Sequence, residues 1–92
     1  MKDHEFWLKC IACTEEKFVD EPLAEAMFAR IGSVIEEINS LDEFRQYLAS
    51  EKAEAQRQAD FYDGNRFYHE NVAAARKCEA RVCGALLLEL AA

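Results

Sequence analysis

Residues 59–70 read ADFYDGNRFYHE, with Phe61, Tyr62, Phe67 and Tyr68 placed around an Asp63-Gly64-Asn65 centre. Two readings compete for the stretch. An EF-hand loop requires D-x-[DN]-x-[DN]-G and a glutamate at its twelfth position. With Gly64 in the glycine place, Asp63 and Glu70 fall correctly, but Ala59 and Phe61 stand where the first two oxygen ligands belong. Calcium takes six or more oxygen ligands, so the match fails. As a helix–helix connection the stretch is well made. Gly64 can adopt positive φ at a helix C-terminus and Asn65 can cap the helix that follows. The expectation is a helical hairpin with an aromatic tip. Tyrosines are enriched at contact surfaces, apolar in body and polar at the end. Tyr62, Arg66, Tyr68 and His69 are therefore candidate partner-binding residues.

The flanks agree. Upstream, Ser40-Leu41-Asp42-Glu43 has the S-x-x-E form of a capping box, starting a third helix that buries Leu41, Phe44, Tyr47 and Leu48. Past Ser50 this helix offers only alanines at core spacing, so it is exposed or packs closely through Ala53, Ala55 and Ala59. Downstream, a fourth helix is expected from Asn65 or Arg66 to the C-terminus. Its stripe is Tyr68, Val72, Ala75, Cys78, Val82 and Ala85 or Leu86, broadened by Leu87, Leu88 and Leu90. A helix apolar on several sides needs more than one neighbour, which argues for a homo-oligomer, a homodimer in the simplest case.

Two helices precede these. One spans about Asp3 to Phe18, with Phe6, Trp7, Cys10, Ile11, Cys13 and Phe18 at three- and four-residue spacing. The next spans Pro22 to Ile38, on Leu23, Met27, Ile31, Val34, Ile35 and Ile38. Pro22 suits a first helical turn, where its missing N–H goes unused. Gly32, inside, is expected to permit close helix approach. With one proline and three glycines in 92 residues, breakers are scarce. The fold class is all-α: a single domain over residues 1–92, a small bundle of about four helices with a short first and a long last helix.

The formal charge is −7, from eleven basic and eighteen acidic side chains. Residues 1–40 hold four basic and nine acidic groups, residues 41–92 seven and nine, so the deficit sits in the first half. Nucleic-acid binders carry a basic footprint, so direct nucleic-acid binding is disfavoured. The acidic cluster Glu15, Glu16, Asp20, Glu21 and Glu25 suits a basic protein surface, and Glu15, Glu16 and Glu21 are partner-binding candidates. Its ordinary alternative is solubility and complementing of helix dipoles. Arg66, Arg76, Lys77 and Arg81 form a short basic stripe, suited to salt bridges or to an anionic ligand such as a nucleotide.

No catalytic constellation emerges. His4 and His69 are the two histidines, and neither an H-E-x-x-H helix, a phosphate loop nor a nucleophile elbow is present. Cys10 and Cys13 have the spacing of half a zinc site, but Cys78 and Cys83 lie about 140° apart on a helix and do not complete it. The cysteines are expected in the core, with no cofactor and no metal. The charged N-terminus is unlike a signal peptide, and VCGALLLEL is too short to span a membrane. The expectation is a cytoplasmic protein with reduced thiols.

In size and charge the chain resembles small acidic proteins encoded by phages and mobile elements, among them inhibitors of host defence systems; no motif carries the likeness. The function expected is a non-enzymatic interaction module that regulates or inhibits a protein partner, such as a component of a nucleic-acid-handling or defence system. A helical protein that binds a small anion is the alternative.

Overall fold

The computed structural model describes residues 2–63 and 70–91. It is all-α. The helices are α1 (Lys2–Glu16), α2 (Pro22–Val34), α3 (Leu41–Asp63) and α4 (Glu70–Ala91), with a turn of 3-10 helix, Ile35–Glu37, extending α2. The expected turn at Gly64 lies outside the described residues. The molecule measures 47 × 25 × 22 Å.

Local chemistry sets the boundaries. Pro22 opens α2 behind Glu21, whose carbonyl accepts the Ala24 N–H at 3.0 Å. The helix tightens after Val34 and stops at Ile38, which is extended. Ser40 caps α3, its Oγ accepting the Glu43 N–H at 3.1 Å. The Glu43 carboxylate reaches back to the Asn39 N–H at 3.0 Å, one residue beyond the usual box.

Helix α4 is the centre of the fold and packs against α1, α2 and α3. Its buried side chains, Ala73, Cys78, Glu79, Ala80, Val82, Cys83, Leu86 and Leu90, therefore surround it rather than form one stripe. The expected stripe positions Val72 and Ala75 are half-buried. The broad apolar tail is thus covered inside the chain, and only Leu88 is left largely exposed, at 74%. Trp7, Met27, Ile31, Phe44 and Leu48 complete the core, with the Trp7 and Phe44 rings 5.0 Å apart.

Helix α1 departs from its expected band. Phe6 and Cys13 are exposed, and Thr14 is buried, its hydroxyl donating to the Cys10 carbonyl at 2.7 Å. That bond makes Thr14 acceptable in the core. The α3–α4 contact uses small residues: Ala55, Ala59, Ala73 and Ala80 are buried, whereas Ala53 faces solvent. Gly32 is also exposed, and an added Cβ would meet nothing within 4 Å, so it serves no helix approach. Among the described residues no helix is long and apolar enough to cross a membrane.

Candidate interaction faces

The cations are mostly spent inside the chain. Lys17 pairs with Glu89 at 2.6 Å, Lys77 with Asp63 at 2.8 Å, and Arg57 with Glu54. Arg81 grips both oxygens of Glu21 at 2.6 and 3.0 Å, with its guanidinium 5.3 Å from the Phe18 ring. Arg30 bonds Glu51 and Glu79 at 3.0 Å each, and Arg76 bonds Glu79 at 2.6 Å. Among described side chains, Lys9 and Lys52 are the cations left without an ion pair or hydrogen bond.

Glu79 escapes the sequence reading because nothing in its local pattern marks it as inward. It is 5% exposed, and its carboxylate joins Arg30 of α2 and Arg76 of its own helix, while Arg30 reaches on to Glu51 of α3. Three helices are clamped at one point. Beside the clamp, burial first and then the Glu51 charge push the Tyr47 hydroxyl up to about 12. Burial, then Glu51 and Glu79, push the Cys83 thiol up to about 12 as well. Cys10 and Cys78 are raised chiefly by burial. These thiols are packing groups. Among the described residues no group of three His, Cys, Asp or Glu is placed to hold a metal.

The basic stripe divides between two faces. Arg76 turns to the clamp, while Lys77 and Arg81, one turn apart, border a groove of about 680 Å³ between α3 and α4. Lys52 joins them there from α3, unforeseen in the sequence. The groove is lined by Ala59, Ala80, Gly84 and Ala85, together with Phe18. Arg66 lies outside the described residues.

The acidic candidates also separate. Glu21 belongs to Arg81 and contributes little outward charge. Glu15 and Glu16 are exposed and carry no partner among the described residues, as are Asp20 and Glu25. These four surround the α1–α2 connection, where Val19 is 80% and Leu23 47% exposed. A depression of about 300 Å³ lies among them, lined by Glu15, Phe18, Val19, Ala24, Glu25 and Phe28. Its Phe18 and Phe28 rings meet edge-on at 6.0 Å. Aromatic walls between carboxylates suit a long cationic side chain, with its stem on the rings and its charge between the acids.

Of the aromatic tip, the described part is Phe61, 66% exposed, and Tyr62, half-buried, with rings 5.2 Å apart and edge-on. Tyr68 and His69 lie outside the described residues. Comparison of the chain with protein-family models, curated proteins and solved structures returned no match.

Proposed function

We propose that the chain is a non-enzymatic interaction module that regulates a protein partner by covering a basic patch on it. One observation carries this: the described cations are almost all neutralised internally, whereas Glu15, Glu16, Asp20 and Glu25 stand unpaired around exposed Val19 and Leu23. Charge supplies attraction and orientation, the two apolar residues supply contact area, and the ring-lined depression takes one Lys or Arg of the partner. Covering a basic surface is how such a protein would inhibit a nucleic-acid-handling partner. Tyr62 and its neighbours at the hairpin tip would supply a second contact.

The small-anion alternative draws on Lys52, Lys77 and Arg81 around the groove. Asp63 and Glu21 already neutralise two of these cations, and Arg76 faces away, so the acidic face is preferred. Among the described residues the large apolar side chains exposed elsewhere are Phe6, Leu8, Phe61 and Leu88, and a homodimer would draw on these.

The test is affinity capture at low and high salt, wild type against a Glu15→Lys/Glu16→Lys/Asp20→Lys variant. Glu21 is left alone, since reversing it would set a lysine against Arg81. A basic protein retained by wild type, released by salt and lost by the variant is the expected result. Capture that ignores both salt and charge reversal refutes the acidic-face mechanism.

A further inference from the structure

The carboxylates of the acidic face stand differently toward their helices. Glu25 lies in the first turn of α2, where negative charge complements the helix dipole. Glu15 and Glu16 lie in the last turn of α1, which holds no basic residue. Two anions there meet the negative pole of the helix, a place that favours a cation. The cations that border this end of α1 are turned elsewhere: Lys17 bonds Glu89 at 2.6 Å, and Arg81 bonds Glu21. The end of α1 thus holds a charge arrangement that a cation from outside would relieve.

The depression beside it suits one long side chain. Its volume of about 300 Å³ is at the lower limit for ligand pockets. Glu15 borders it from α1 and Glu25 from α2, and the Phe18 and Phe28 rings line it. A lysine ammonium is a compact, strongly hydrated charge that gains little from the rings. A guanidinium is planar and more weakly hydrated, stacks on aromatic faces and has donors enough for two carboxylates at once. The fold already uses this combination next door. Arg81 holds its guanidinium 5.3 Å from the Phe18 ring while two of its nitrogens bond the Glu21 carboxylate. The depression offers the same kinds of group, a half-buried ring in Phe28 and unpaired carboxylates in Glu15 and Glu25, and among the described residues no cation of the chain lines it.

We infer that the depression is an arginine pocket, which takes an arginine from a basic segment of the partner protein and discriminates against lysine. The guanidinium lies against Phe28 and bonds Glu15 and Glu25. This deepens the acidic-face reading and rests on it: the arginine is the anchor, while Glu16 and Asp20 supply attraction that does not distinguish one cation from another.

The probe is a labelled alanine peptide of about nine residues, roughly 30 Å when extended, with flanking lysines and a central arginine, lysine or citrulline. Binding is read by fluorescence polarisation against the full chain. The arginine peptide should bind at least about five-fold tighter than the lysine peptide, and about ten-fold tighter than the planar but neutral citrulline peptide. Phe28→Leu, which keeps an apolar side chain, and the exposed Glu25→Gln should each bring arginine and lysine to near parity with helicity unchanged. Glu16→Gln, outside the depression, should weaken both peptides alike. Glu15→Gln should weaken the arginine peptide yet raise the thermal midpoint by about 2–5 °C, because it removes an anion from the negative end of a helix.

Equal affinity for the arginine and lysine peptides overturns the pocket but leaves the acidic face standing, provided that both are lost in the Glu15→Lys/Glu16→Lys/Asp20→Lys variant. An arginine preference that survives both Phe28→Leu and Glu25→Gln overturns it too, as does a lower thermal midpoint in Glu15→Gln. Failure of wild type to bind any of the peptides at low salt would refute the acidic face and the pocket together.

Discussion

Replacing Glu79 with glutamine should cost about 2 kcal/mol of stability, a figure that follows from its surroundings. The carboxylate accepts from Arg30 at 3.0 Å and from Arg76 at 2.6 Å, in a side chain 6% exposed. Hydrogen bonds to charged groups contribute about 1.5–3 kcal/mol each when one partner is lost. Two such bonds would suggest more, but the Arg30 and Arg76 side chains are 41% and 30% exposed and regain water. Glutamine also keeps one oxygen acceptor. A domain of this size has about 5–14 kcal/mol in all, so the loss is a large share. Urea unfolding followed by circular dichroism should show a lower midpoint at unchanged slope, and the thermal midpoint should fall by about 8–16 °C. A double-mutant cycle with Arg76→Gln, whose guanidinium pairs with no other described carboxylate, should return a coupling of about 1 kcal/mol or more. A Glu79→Gln variant within about 0.5 kcal/mol of wild type would refute the clamp, because water would then serve both arginines equally well.

Gly32→Ala should stabilise by about 0.5–1 kcal/mol, since the exposed helical site has open space for a Cβ; a loss in the same unfolding assay would mean that the glycine is needed for contact. Alkaline pH should destabilise the fold. Its Cys83 and Tyr47 hold protons up to about 12, while the unfolded chain releases them from near pH 9 and pH 10. The raised folded values mean that stability is whole below pH 9 and declines as pH climbs, so the thermal midpoint should fall between about pH 9 and 11, less steeply in Cys83→Ala. A maleimide under native conditions should label Cys13 first, because Cys10, Cys78 and Cys83 are buried; mass spectrometry of the first adduct on any other cysteine would contradict that packing.

Helix type and number were legible because they depend on local rules. The scarcity of glycine and proline, the capping residue Ser40 and Pro22 at the first turn of α2 each act within a few residues, and each recurs in the structure. Which face each helix buries was less legible. Periodicity assumes one neighbour per helix, and α4 has three, so Glu79, Ala80 and Cys83 go inward beside the expected Cys78 and Val82. In α1 the register shifts toward Thr14, whose bond to the Cys10 carbonyl lets a hydroxyl replace the thiol of Cys13 in the core. The leucine-rich tail, which needs more than one neighbour, finds several inside the chain. Leu86 and Leu90 are buried by neighbouring helices, and Leu88 alone of the tail's leucines is largely exposed.

The charged face shows where composition stops being informative. A net charge of −7 says that carboxylates outnumber cations, but not which carboxylates remain available to a partner. That is decided by helix rotation and length: Arg81 reaches Glu21 across 60 positions, and Lys17 reaches Glu89 across 72. Such pairs remove Glu21 from the acidic cluster and leave Glu15, Glu16, Asp20 and Glu25 in it. Exposed pairs of this kind add little stability individually. Their larger effect is to sort the surface, consuming cations along α4 and concentrating uncompensated negative charge at the α1–α2 connection. The same sorting isolates Lys52 on the groove.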